Sequence, residues 1–186
     1  MAKNVIVISG PAGVGKSTLA HLISRKYKMK LYTGSDFFKE TAREHGYNPT
    51  GRGWWDSEEG LKFLRERKVN PEIDRGVDKK MMQKAKEGNA IMTSWTLPYL
   101  GVNAIEIFIT ASQEERAERI SKRDKISASE AFKIIKERDK ENKELYKKIY
   151  GFNLGDDLDV FDLVLNTDGM SIREVKNAIV KFLEKK

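Results

Sequence analysis

The chain contains no cysteine. That excludes disulfides, thiolate metal sites and cysteine nucleophiles. Histidine is nearly absent: His21 and His45 are its two copies, too few to build a metal site by themselves. His21 falls inside a predicted helix and reads as a surface residue. No apolar run approaches the ~20 residues of a membrane-spanning helix, so no membrane partner is expected. The VIVI run near the N-terminus is too short for a signal-peptide core and leads into glycines instead of a cleavage site. A cytoplasmic location is therefore expected. The sequence also lacks repeats, low-complexity tracts and any Pro/Gly/Ser-rich linker, which argues for one domain.

What is present fits that expectation. The chain has 186 residues, 39% apolar and 34% charged, enough for a globular domain with a core of its own. Its formal net charge is +7, which suits a polyanionic ligand. The basic residues alternate with acids, as in KERDKENKE at 136–144, and so read as an ion-paired helix face or a polar lid over a charged ligand. A small polyanion is the expected partner, with nucleic acid a secondary possibility.

β-Branched and apolar runs predict strands at 3–9, 30–33, 89–94, 104–110 and 160–166. Helices are predicted at 16–29, 35–45, 57–67, 71–87 and 112–124, from 128 to about Tyr150, and after Ser171. Glu87-Gly88-Asn89 gives a C-cap signal, Ser112 with Glu115 a capping box, and Ser127 and Ser171 further caps. Residues 46–56, GYNPTGRGWWD, read as a loop. Ala128, Ala131, Phe132 and Ile135 give the sixth helix an apolar stripe. Strands alternating with helices, and apolar on both faces, imply an α/β fold: a parallel sheet flanked by helices, with right-handed crossovers. Ligands in such sheets lie at the carboxyl ends of the strands.

The segment GPAGVGKS, Gly10–Ser17, follows the first strand and opens the first helix. It matches G-x-x-x-x-G-K-[ST], the phosphate loop of the P-loop NTPase fold. Its glycines let backbone N–H groups turn inward around an anion, and the helix N-terminus adds a positive dipole end. Gly10, Pro11, Ala12, Gly13, Val14, Gly15, Lys16, Ser17 and Thr18 are thus the expected ATP-binding residues. Lys16 is placed to reach the β- and γ-phosphates, and the Ser17 hydroxyl to ligate Mg2+.

The loop names the donor, not the reaction. No N-K-x-D tetrapeptide is present to read guanine, and strand 89–94 ends in Ser94-Trp95 with no acid, unlike a motor ATPase. Arginines closing over a transferred phosphoryl group favour a kinase. RAERISKRD supplies Arg116, Arg119 and Arg123, spaced for one helix side. A salt-bridged helix surface with Glu115 and Glu118 is the alternative. Asp36, just after the second strand, reads either as a helix N-terminal acid or as a base for an acceptor hydroxyl.

The phosphate loop, ASQEERAERISKRD, SASEAFKIIKERD, YKKIYG and FDLVLNT stand in the order found in archaeal cytidylate kinases, and PEIDRGVDKK resembles a segment of their acceptor-binding part. The resemblance spans Val5 to Leu183. It implies a five-stranded parallel core (1–33, 89–118, 156–186), an acceptor-binding region (34–88) and a lid (about 119–155). The implied reaction moves the γ-phosphoryl of ATP to CMP or dCMP with magnesium. Lys16 would orient phosphates, Arg119 and Arg123 would be lid cations, and Arg116 and Arg138 would lie near the acceptor.

Three positions depart from that pattern. Lys39, Ser94-Trp95 and Leu145 stand where the family leads one to expect arginines. A planar guanidinium fork is not replaced by Trp or Leu, and only partly by Lys. Asp36, Lys39, Trp95, Arg116 and Arg138 are therefore the acceptor-side candidates. Trp95, Trp54 and Trp55 either read the acceptor or fill the interface between core and acceptor region. A related kinase acting on another nucleotide or a metabolite hydroxyl is the alternative function, as is an RNA- or ribosome-associated ATPase. Oligomeric state is not legible.

Overall fold

The computed structural model describes residues 4–51 and 53–186; the first position of the strand expected at 3–9 lies outside them. Five strands, β1 (Val5–Ser9), β2 (Lys30–Thr33), β3 (Ala90–Thr93), β4 (Ile105–Thr110) and β5 (Leu163–Asn166), form one sheet. Their order is β2-β3-β1-β4-β5, and every pairing is parallel. Seven helices are described: α1 (Lys16–Tyr27), α2 (Gly34–Glu44), α3 (Glu58–Val69), α4 (Pro71–Glu87), α5 (Gln113–Asp124), α6 (Ala128–Tyr150) and α7 (Ile172–Leu183).

All five residues of β1 are buried, because helices cover both faces of the sheet centre. Ile6, Ile8, Ile91, Ile107 and Ile109 pack with Leu19 and Ile23 of α1 and Val175 and Ile179 of α7. On the other face Val5, Val7 and Met92 meet Phe37 of α2, Val77 and Met81 of α4, and Leu97. A strand buried on both sides has no polar face to offer, hence the unbroken VIVI run. β5 departs from this pattern. It is an edge strand with alternating burial, and Val164 remains 44% exposed. It also starts three residues later than the expected 160, since Asp162 closes a turn onto β4. Its N–H donates to the Glu106 carbonyl at 2.8 Å and its carboxylate accepts from the Glu106 N–H at 2.9 Å.

Serines start four helices. Ser57, Ser112, Ser127 and Ser171 each accept the N–H three residues ahead, satisfying one of the donors a helix start leaves open. Among these four, Ser171 alone has the reciprocal bond, from its own N–H to Glu174. The capping box expected at Ser112 is thus half made. The expected loop at 46–56 contains a 3-10 turn at Gly53–Asp56. It packs so closely on α3 that a Cβ at Gly60 would lie 2.0 Å from the Trp54 carbonyl oxygen.

α6 has 23 residues and so is about 35 Å long. Ala131 and Ile135 in its first half pack on Ala117 and Ile120 of α5. Tyr146 in its second half packs with Phe152, Leu154 and Trp95.

Candidate active site

The phosphate loop sits where β1 ends. Gly10, Gly13 and Gly15 have φ of +142°, +78° and +104°, values that side chains disfavour. At Gly10 there is a second reason for glycine: a Cβ would stand 2.1 Å from the Ile109 carbonyl oxygen of β4. Ala12 and Val14 between them are buried, which fixes the loop to the core. Gly15 offers α1 no side-chain cap, so the first N–H groups of that helix are left for an anion.

Those groups lie beside a cavity of about 460 Å³, lined by residues 13–19, Arg119, Arg123, Ile120, Met170 and Ile172. Its size falls in the range of small-ligand pockets. Its lining joins the phosphate-loop backbone, Lys16, Arg119 and Arg123 to apolar side chains such as Ile120, Met170 and Ile172. The Ser17 hydroxyl sits on the first turn of α1 among the lining residues. One hydroxyl there, completed by phosphate oxygens and waters, suits magnesium, which is usually held by few protein ligands.

Lys16 folds back on its own loop, donating to the carbonyls of Gly10 and, at 2.8 Å, of Pro11. Its ammonium stands 5.0 Å from the centre of the Trp95 ring. Enclosure pushes its pKa down to about 7, helped by the positive charges of Arg138 and Arg116 and opposed by Asp139.

The three arginines of α5 do not share one task. Arg119 and Arg123 line the large cavity. Arg119 donates to the Val14 carbonyl at 3.2 Å and the Thr167 carbonyl at 3.0 Å, and so ties the phosphate loop to the segment after β5. Arg123 pairs with neighbouring Asp124 at the rim. Arg116 turns to the opposite side and is 4% exposed. It donates to the carbonyls of Ala111 and Ala12 and makes a two-pronged pair with Asp139 of α6, at 2.9 and 2.6 Å. Its donors are engaged in joining the phosphate loop to α6, a structural task that spacing alone did not reveal.

A second cavity, about 170 Å³, lies on that side, between Pro11, Trp95, Phe108, Arg116, Asp139 and Leu154. Arg138 is exposed on α6, yet close enough to Lys16 to weigh on its charge. Asp36 is exposed at the N-terminus of α2. It accepts from the Thr33 hydroxyl at 2.6 Å and returns its N–H to the same oxygen at 3.2 Å, the geometry of a helix-start acid. Lys39 reaches the Gly51 carbonyl. Leu145 is half-buried.

The tryptophans do not form one interface, which corrects the expectation that all three fill the boundary between core and acceptor region. Trp54 is buried inside the α2–α4 unit with Ala42, Phe63 and Ile73, its indole N–H donating to Glu59. Trp55 sits at the edge of the same cluster, bonded to Ser35 at 3.2 Å. Trp95 is elsewhere, between Lys16 and Tyr146 of α6, whose ring centre is 6.1 Å away.

The polar part of α6 is largely paired. Asp139 holds Arg116, Glu141 holds Lys68 of α3, and Lys143 holds Asp156. The expectation of an ion-paired helix is met, and through Arg116 and Lys68 the segment spans from the phosphate loop to α3.

Sequence reasoning missed a buried polar network beside Trp95. Arg67 of α3 donates to Asp74 of α4 at 2.6 and 3.2 Å and approaches the Tyr146 hydroxyl at 3.5 Å. Asp78, one turn on from Asp74, accepts from the Thr96 hydroxyl at 2.5 Å and from the Tyr150 hydroxyl. The signal was in PEIDRGVDKK: both acids lie on the face that also carries Ile73, Val77 and Met81. An acid on an apolar stripe needs a buried partner.

Comparison with known proteins agrees with this geometry. Residues 5–169 match the model of the cytidylate kinase-like family. A cytidylate kinase of Pyrococcus horikoshii is 37% identical over 180 residues, covering 96% of this chain and 87% of that one. A cytidylate kinase of Pyrobaculum arsenaticum is 34% identical over 183 residues, covering 96% and 91%. Among solved structures, a shikimate kinase from Bacteroides thetaiotaomicron superposes with a TM-score of 0.61 at 16% identity, covering 97% of this chain and 98% of that one, a likeness of fold alone. With a family match over most of its length and relatives above one-third identity, the chain belongs to the cytidylate kinase-like family.

Proposed function

We propose that the chain transfers the γ-phosphoryl group of ATP to a nucleoside monophosphate of cytidylate type, CMP or dCMP, in the presence of magnesium. The observation that carries this reading is the position of Lys16. It lies between the nucleotide-sized cavity on one side and Trp95, Arg116 and Arg138 on the other. A phosphoryl group passing from donor to acceptor must cross that point.

In this reading ATP lies in the large cavity, its phosphates on the N–H groups of residues 13–18. Arg119 and Arg123, which line the same cavity, act as the lid cations. Lys16 leaves the Gly10 and Pro11 carbonyls for the phosphates. A loose phosphoryl-transfer state spreads charge over three oxygens, and cations fixed beforehand stabilise it most. Magnesium, held by Ser17 and the phosphates, would neutralise charge between the β- and γ-oxygens. Residues 34–88 act as the acceptor-binding region and 119–155 as the lid. Asp36, Lys39, Trp95 and Arg138 face the acceptor, and Arg116 supports them through Asp139. The enzyme acts in the cytoplasm on small nucleotides.

A second reading keeps the donor half and changes the acceptor. It is favoured by Ser94-Trp95 and Leu145, which bring no guanidinium where the resemblance leads one to expect them. The test is ADP formation from Mg-ATP with CMP, dCMP, UMP, AMP, GMP, small hydroxyl acceptors, RNA or no acceptor. Turnover on CMP or dCMP at least tenfold above the others is expected. Silence on every monophosphate, with ATP still bound, would overturn the cytidylate reading and leave hydroxyl acceptors or RNA.

A further inference from the structure

Three parts of the molecule that are remote in sequence close into a ring beside Lys16. Trp95 stacks near Lys16 and touches Tyr146. Thr96, its chain neighbour, donates to Asp78 of α4. Asp78 accepts from Tyr150 of α6. Tyr150 stands one turn beyond Tyr146 on the same helix, with ring centres 6.5 Å apart, and Tyr146 reaches Arg67, which is paired to Asp74 on α4. The turn that carries Trp95 is held further by Ser94, whose hydroxyl oxygen accepts the N–H groups of Thr96 and Leu97, each at 3.1 Å. Asp78, Asp74, Thr96, Ser94, Arg67 and Tyr146 are all buried.

This is a costly arrangement for a purely structural task. A buried carboxylate needs hydrogen bonds or a nearby cation to offset its lost solvation, and a well-packed apolar residue at position 78 would serve the core as well or better. What Asp78 does that an apolar side chain would not is fix two parts remote in sequence to one point. One oxygen sets the Trp95 turn, and the other holds the end of α6, the helix that also carries Asp139 and Arg138. We propose that Asp78 is a positioning residue for phosphoryl transfer: through Thr96 and Tyr150 it sets Trp95 and α6 in register against Lys16. The proposal rests on the kinase reading for its catalytic consequence, but not for the latch itself.

Burial pushes the Asp78 carboxyl up to about 6; the Thr96 and Tyr150 hydroxyls oppose this, Asp74 adds to it and Arg67 counters it. These, with Tyr146, are the charged and titratable groups that face it from α3, α4 and α6. Protonation turns an acceptor of two hydroxyls into a donor that competes with them. The register therefore loosens as pH falls through about 6.

The test uses the full chain with Tyr150→Phe, which removes one hydroxyl from a half-buried ring, and Asp78→Asn, which keeps the shape. Tyr150→Phe is expected to lower kcat about tenfold, the loss of one hydrogen bond to a charged acceptor, with the KM for ATP within about twofold of wild type. The wild-type kcat is expected to fall on the acid side of pH 6, and this limb is expected to vanish in Asp78→Asn. Hydrogen exchange of residues 143–151, which needs no acceptor, is expected to quicken in both variants. Unchanged exchange in both would overturn the latch. Quickened exchange with wild-type kcat and pH profile would overturn its catalytic role. Quickened exchange in both variants, with a wild-type protein that phosphorylates no acceptor, would leave the latch standing and sink the kinase reading instead.

Discussion

The Lys16 ammonium lies 5.0 Å from the centre of the Trp95 ring, so the lysine of the glycine-rich loop is capped by an uncharged aromatic. A cation over an indole face is stabilised by roughly 1 kcal/mol. That is strong enough to hold the side chain at rest and weak enough for a phosphate to displace it. Trp95 is half-buried between the α5–α6 cluster and that of Tyr146, Phe152 and Leu154, outside the sheet core. Its replacement by Ala is therefore expected to act on the acceptor first. The KM for the acceptor should rise about tenfold, the scale of one lost ring contact, and that for ATP less than threefold. Steady-state kinetics with each substrate varied in turn decides the matter. Equal rises would assign Trp95 to packing alone.

The enclosure of Lys16 has a second consequence. With a pKa near 7 in the free protein, much of the lysine is neutral at pH 8, whereas ATP phosphates require it charged. Binding of Mg-ATP at pH 8 is expected to take up close to one proton, and at pH 6 almost none. Calorimetry in two buffers of different ionisation enthalpy measures this directly. The sign follows from linkage: a partner that favours the charged form raises the pKa, so ATP affinity should weaken as pH rises through about 7. Buffer-independent heats at pH 8 would show that Lys16 is charged before ATP arrives.

The loop geometry at this candidate site was legible because a contiguous motif encodes it. Gly10, Gly13, Gly15, Lys16 and Ser17 are neighbours in the chain, and the strand and helix around them are set by local patterning. The sheet was legible for the same reason, with β5 the exception, since its edge position depends on which strand pairs where. The tasks of Arg116, Asp74 and Asp78 were not legible. Helical spacing places Arg116 and Arg119 on one side, but which of them turns inward depends on Asp139, more than twenty residues away. Nor does spacing distinguish an acid on an apolar stripe from a solvated one, since Tyr150 lies 72 residues beyond Asp78. Trp54 and Trp95 look alike as tryptophans in turn-rich segments, and only tertiary packing puts one inside the Phe63 cluster and the other beside Lys16.

Gly10 is where backbone geometry and function meet. Its φ is +142°, and a methyl group there would stand 2.1 Å from the Ile109 carbonyl oxygen. Gly10→Ala is expected to displace the start of the loop or the end of β4, at a cost of several kcal/mol. ATP affinity should fall at least a hundredfold, and Tm should fall with it. Gly15 is also at positive φ, but nothing lies within 4 Å of the place a methyl group would take. It should tolerate Ala with a much smaller loss of Tm. Comparing Tm and nucleotide affinity of the two variants separates crowding from backbone preference. Equal losses would mean that φ alone is the constraint.

The Arg116–Asp139 pair joins the phosphate loop to α6, and its burial decides what its loss would do. Arg116 is 4% exposed and the Asp139 side chain 18%, so removing the acid strands a guanidinium with the Ala12 and Ala111 carbonyls as partners. Breaking a buried pair from one side typically costs about 3–5 kcal/mol. For a chain of this size that corresponds to a fall in Tm of roughly 10 °C, which is expected for Asp139→Ala. Replacing both partners, as in Arg116→Met with Asp139→Leu, removes the stranded charge and is expected to recover most of that Tm. If the pair served stability alone, activity would recover too. Because Arg116 holds the carbonyl of Ala12 and Asp139 the α6 register, kcat is instead expected to stay at least tenfold down in the stable double variant. Thermal denaturation and kcat measured on the same preparations give both numbers. Full activity in the double variant would reduce the pair to packing.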